Sequence, residues 1–299
     1  MIVRPEQHWL KLLFSWRGSV MKKILPKLFL FSMLNALYLF IIPLWHMHGI
    51  IAKENPIAFI GISISIFLGF RNNAAWMRYS EARNLWGNLL ITARSLVREI
   101  KNTTPATQAE ILSVVHLLVS YCYALKSALR HESTPEIVSN CAPHLREQRN
   151  ITTPCNALLL EIGAWLHQHR QNDLNYQNLN QYLNTISTIQ GGCERISNTP
   201  IPFAYTLILH RTVYIFCAIY PLLIINNFGA LSVLFSLFTT YALLALDAIA
   251  AELEDPFGCE DNDLPLNAIC NAIEIDLREM VGDTLLPAKV RPDKYYRLV

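Results

Sequence analysis

The sequence predicts an all-α membrane protein with four transmembrane helices per subunit and a helical cytosolic domain. Three observations predict it. Of 299 residues, 52% are hydrophobic and 16% charged, where a soluble domain carries about 25% charged residues. Long runs lack Lys, Arg, Asp and Glu, and a helix needs roughly 20 such residues to cross a bilayer. Between the second and third runs the chain turns polar, with apolar residues recurring at helical spacing. The net charge of +2 makes no case for a nucleic-acid partner. Seven cysteines are scattered without a CxxC pair, which fits a reducing compartment better than a disulfide framework.

Residues 1–25 read as an amphipathic N-terminal helix on the membrane surface, or as an ordinary packed helix. Trp9, Leu12, Leu13 and Trp16 recur at helical spacing beside Arg4, Lys11 and Arg17. Residues 26–79 hold the first two spans. No charge occurs from Leu28 to Ala52, and Pro43 and Trp45 stand near the far end, where Trp favours the interface. The second run, Asn55 to Phe70, is short for a lipid-exposed span and passes into Arg71 without a turn signal.

Residues 80–199 read as a helical cytosolic domain. "AEILSVVHLLVSYCYALKSAL" and "NALLLEIGAWLHQHR" are its patterns, and His116 in the first is a core histidine or an interface residue. Gly191-Gly192, Pro200 and Pro202 lead into residues 200–254, which hold the third and fourth spans. These run Phe203–Ile225, broken by His210-Arg211, and Gly229–Ala251, with Asp247 near its end; "INNF" is the turn between them. Residues 255–299 form a polar cytosolic C-terminal segment. Arg4, Lys11, Arg17, Lys22, Lys23 and Lys27 precede the first span and only Lys53 follows it. Both termini and the large middle domain are therefore expected on the cytoplasmic side of the membrane.

On a helix, Gly61, Ser65 and Gly69 form a small-residue packing stripe. Ile62, Ile66 and Phe70 form a bulky one about 100° round the axis. The bulky stripe has two readings. It packs in a core or faces lipid, or several copies ring an axis and it forms a hydrophobic constriction about 12 Å long. The second reading also explains the charge after Phe70, because a pore helix meets water or protein rather than lipid.

"FLGFRNNAAWMRYSEARNLWG", with "NTPIPFAYTLILHR" and "EDPFGCEDNDLPLN" downstream, resembles the bestrophin family, specifically its bacterial branch. The resemblance covers essentially the whole chain. It implies a homopentameric ion channel, a ring of subunits around a central pore, whose neck falls on Ile62, Ile66 and Phe70. It also implies a second narrowing in the cytosolic domain. Leu174–Ile189 is the candidate segment, although Leu179, Leu183 and Ile186 there read as a core face. Bacterial members imply permeation by monovalent cations such as sodium; animal members imply chloride.

The acidic run Glu252, Glu254, Asp255, Glu260, Asp261 and Asp263 offers oxygens of the kind calcium takes, and animal bestrophins carry a calcium clasp at the matching position. Here Asn262 and Leu264-Pro265 interrupt it, and helix-end chemistry with salt bridges to neighbouring subunits is the competing reading. Arg71, Arg78 and Arg83 would favour anions if they faced a lumen; the alternative is pairing between subunits with carboxylates such as Glu81. His210-Arg211 is either functional or the cytosolic end of the third span. His46/His48 and His167/His169 lack a third ligand, so no metal site follows. With no GxSxG, P-loop or GxGxxG, the chain is not expected to be an enzyme. The remaining functional alternatives are a membrane-anchored interaction protein and, less suited to four spans without inverted repeats, a transporter. Expected partners are membrane lipid, further copies of the chain and permeant inorganic ions.

Overall fold

The computed structural model describes residues 1–5, 8, 10, 15, 16, 18–46, 55–133, 136 and 154–298. Among them, eight helices follow in order: α1 (Met21–His46), α2 (Asn55–Thr103), α3 (Gln108–Leu129), α4 (Pro154–Gln168), α5 (Asp173–Asn198), α6 (Phe203–Phe228), α7 (Leu231–Glu254) and α8 (Leu266–Met280). No strand forms among the described residues; Ile2 and Arg297 make an isolated antiparallel bridge. The chain divides into two units, Glu6–Tyr79 with Pro200–Asp255, and Met1–Pro5 with Ser80–Thr199 and Pro256–Val299.

The first is the membrane unit. α7 packs on α1 and α6, and α1 packs on α6. Their core is Ile24, Phe31, Val213, Phe216, Cys217, Leu243 and Leu244, joined by Ile64 and Leu68 of α2. The outer faces stay apolar and exposed, through Phe29, Leu30, Met33, Leu37 and Phe40 on α1 and Leu234 and Phe238 on α7. An apolar surface of this extent is suited to lipid.

Length and hydropathy also qualify α3 as a span, but 61% of its apolar stretch is buried, against 17–33% for those of α1, α6 and α7. α3 packs on α4, α5 and α8 and is the core helix of the extramembrane unit, because a helix apolar on most sides needs a full ring of neighbours. The first part of α2 falls below that threshold, yet Ile64 and Leu68 lie in the membrane core, so it is the fourth membrane helix. α3 begins at a capping box: the Thr107 hydroxyl accepts from the Glu110 amide, and the Glu110 carboxylate accepts from the Thr107 amide at 2.7 Å. Leu179, Leu183 and Ile186 of α5 are buried, the core face their spacing predicts.

Several expectations are corrected. The N-terminal helix expected to run to residue 25 is interrupted, since residues 18–20 form a turn and α1 begins at Met21, and Ile2 is extended; Leu10 is helical, and Trp9, Lys11, Leu12, Leu13 and Arg17 lie outside the described residues, as do His48 and Lys53. "INNF" is helical, and the chain turns instead at Gly229, whose φ of 52° favours glycine. Gly191 and Gly192 lie inside α5. A Cβ on Gly192 would stand 2.9 Å from Leu85 Cδ2, so close approach, rather than a chain break, accounts for that glycine.

Candidate functional site

α2 presents two opposite faces in the membrane unit. Ile64, Leu68, Arg71 and Ala75 are buried, and their steps of four, three and four residues keep them on one line. On the far side, Ile62, Ile66 and Phe70 are 57, 52 and 60% exposed. The core-packing reading of the bulky stripe therefore fails within the protomer. The Ser63 and Ser65 hydroxyls donate to Phe59 and Gly61 carbonyls at 2.8 and 2.9 Å, so α2 satisfies its own serines and this face offers few free donors.

The small stripe is only partly packed. A Cβ on Gly61 would meet the Phe216 ring at 3.1 Å, whereas one on Gly69 would meet nothing within 4 Å. Gly61, Ile62, Ser65 and Ile66 line one side of a groove of about 520 Å³ whose other side is Phe216, Tyr220, Thr239 and Leu243.

Directly after the bulky stripe comes a buried charge network. Arg71 Nη1 donates to Asp247 Oδ1, and Arg71 Nη2 lies 3.5 Å from Glu254 Oε2. His210 Nδ1 stands 3.1 Å from the other Asp247 oxygen, Arg78 Nε donates to the Glu254 carbonyl at 3.2 Å, and Lys23 pairs with Glu252 at 3.0 Å. These bonds join α1, α2, α6 and α7 at the level where α2 turns from apolar to charged. His210 thus belongs to this network, seven residues inside an apolar helix that runs from Phe203 to Ile225. For Arg71 and Arg78 the expected pairing with Glu81 across subunits is corrected: Glu81 pairs with Arg195 in the same chain, Arg71 uses Asp247 and Glu254, and Arg78 uses the Glu254 carbonyl. The sequence signal for Asp247 was its position, a lone acid inside an apolar run.

The acidic residues have separate occupations. Glu252 and Glu254 hold Lys23 and Arg71, and Asp255 is the exposed C-cap of α7. In the extramembrane unit, Asp261 pairs with Arg297 at 2.9 Å, and buried Asp263 accepts from the Glu260 amide at 2.7 Å. Among the described residues no group of three or more His, Cys, Asp or Glu side chains is arranged to hold a metal ion. Burial pushes Cys155, Cys193 and Cys270 up to about 12, which leaves their thiols protonated and unreactive. Burial lowers His116, which is half-buried, and so favours its neutral form. Leu174, at the start of α5, is 68% exposed, although the apolar positions that follow it are buried.

The chain matches the Bacterial/Fungal Bestrophin protein family over residues 1–279. It is 45% identical over 305 residues, covering 100% of both chains, to an Escherichia coli protein named voltage-dependent anion channel-forming protein YneE. It is 38% identical over 294 residues, 96% of each chain, to a protein of Ralstonia nicotianae that is also named voltage-dependent anion channel-forming. Among solved structures it resembles a bacterial bestrophin homolog from Klebsiella pneumoniae at TM-score 0.83 and 39% identity, covering 87% of this chain and 98% of that one.

Proposed function

The chain belongs to the bacterial and fungal bestrophin family, a family of ion channels rather than enzymes, and from that premise we propose a homopentamer whose pore neck is three rings of Ile62, Ile66 and Phe70. The observation that carries this reading is the exposed bulky stripe on a membrane helix, directly opposite that helix's buried face. Lipid would accept such a stripe. A ring of copies also accounts for its short apolar length and the charge that follows it. The same reading puts both termini and the extramembrane unit in the cytoplasm, and makes Leu174 the residue of α5 that forms the second narrowing. An ion in the neck gives up hydration and meets no oxygen, so each ring is a barrier.

The neck carries no charge, and the arginine closest to it is not available to attract anions. Arg71 is buried and compensated by Asp247 and Glu254. This removes one source of anion preference, and monovalent cations such as sodium, which the likeness to the family's bacterial branch implies, are the first reading. The names of the relatives support a second reading, an anion channel for chloride. Reversal potentials of purified protein in planar bilayers under asymmetric sodium chloride decide between them. A potential near the sodium equilibrium value supports the first and one near the chloride value supports the second. Absence of discrete currents would remove the channel assignment and leave a membrane-anchored interaction protein.

A further inference from the structure

We infer that Arg211 and Lys27, at the charged end of the α1–α6 seam, form a binding site for the phosphate of an anionic membrane lipid. α6 carries an exposed apolar stripe of Ile208, Ile215 and Ile219. Arg211 lies three residues after the first and four before the second, so it interrupts the stripe on the same side of the helix. Its side chain is exposed, and among the described residues it has no ion-pair partner.

Its neighbours fix its level. His210 reaches Asp247 at 3.1 Å. Tyr214, one turn on, has its ring centroid 4.2 Å from that of His210, tilted by 38°, and has the Lys27 ammonium 5.4 Å from its own ring centroid. Lys27 of α1 thus lies over Tyr214, and Arg211 stands three residues before Tyr214 on α6, beside the buried charge network of Asp247. A guanidinium facing hydrocarbon is costly. From this depth a long side chain reaches the headgroup layer, where a phosphate supplies charge-assisted hydrogen bonds. Ile208 and Ile215, with exposed Leu30 on α1, give the acyl chains an apolar bed.

A carboxylate from another copy of the membrane unit is the competing partner, and the structure disfavours it. Asp247 serves Arg71 and His210, Glu252 serves Lys23 and Glu254 serves Arg71. Among the described residues, Asp255 alone remains an exposed acid in that unit.

The inference rests on the membrane assignment and is independent of pore selectivity. Its test uses the full-length protein in detergent micelles supplemented with phosphatidylglycerol or phosphatidylcholine. Melting of the assembly and lipid retained by native mass spectrometry are measured. Phosphatidylglycerol is expected to raise the melting temperature above that in phosphatidylcholine, and inorganic phosphate is not. Arg211→Gln is expected to remove most of that difference, to lower retained phosphatidylglycerol about fivefold, in line with one basic residue at an anionic surface, and to leave melting in phosphatidylcholine unchanged. Arg211→Lys should keep most of the effect. Equal melting of the parent protein in both lipids, or an undiminished difference in Arg211→Gln, would overturn the site. An equal loss of stability in both lipids, or dissociation of the assembly, would assign Arg211 to a neighbouring copy instead. A shift caused by inorganic phosphate would rule out lipid as the source.

Discussion

Arg71 shows how much one residue's role depends on its partners. It follows the proposed neck directly, and the sequence leaves open whether it faces a lumen or pairs with a carboxylate; it is buried against Asp247 with side-chain exposures of 3 and 8%. Removing one partner of such a pair leaves an uncompensated charge and costs about 3–5 kcal/mol, whereas replacing both by apolar residues is often near neutral. Asp247→Asn is therefore expected to lower the melting temperature of the assembly sharply. Arg71→Met combined with Asp247→Leu should recover most of the loss in the same measurement. His210→Gln should cost less, because that side chain is 44% exposed and still leaves Asp247 with Arg71.

At the scale of elements, α5 offers a paired test on adjacent glycines. Both lie inside the helix, where Gly→Ala gains about 1 kcal/mol of helix propensity. A Cβ on Gly191 would meet nothing within 4 Å, whereas one on Gly192 would meet Leu85 at 2.9 and 3.0 Å, and such overpacking costs about 1–3 kcal/mol. Gly191→Ala should raise the melting temperature, and Gly192→Ala should fall below it; the reverse order would show that Leu85 yields freely. The acidic run from Glu252 to Asp263 supplies a second test. Glu252, Glu254, Asp261 and Asp263 are engaged in ion pairs and a local turn, so ion flux is expected to be the same with added calcium and with chelator. Steep activation by micromolar calcium would return those oxygens to a metal site.

At the scale of the whole molecule, the exposed stripe on α2 requires other copies to become a pore. Mass measurement in detergent should give five subunits, and a stable monomer would remove the basis for the neck. Ile66 lies in the middle ring and is 52% exposed in the protomer, so truncation opens no cavity in the protomer's own core. Ile66→Ala should raise single-channel conductance or open probability with little change in melting. Phe40→Ala, at a 77% exposed position on α1, should leave both unchanged. Were the stripe packed against another helix in the assembly, Ile66→Ala would instead cost about 2–5 kcal/mol and conductance would not rise.

The sequence by itself determined the helical class and the membrane character, because hydropathy and 3.6-residue periodicity are properties of contiguous residues. It also separated the buried Leu179, Leu183 and Ile186 face from the rest of α5 by spacing alone. Local pattern could not decide which apolar helix meets lipid. α3 passes the same hydropathy threshold as α1, and only its packing on α4, α5 and α8 shows that its apolar surface is covered by protein. Nor could it choose partners for charges. Arg71 and Asp247 are 176 residues apart, and Glu81, much nearer in sequence, belongs to Arg195. Periodicity placed Ile62, Ile66 and Phe70 on one line, but the tertiary structure decided that the line faces away from the protomer's core, because Ile64, Leu68 and Arg71 occupy the side that α1, α6 and α7 enclose.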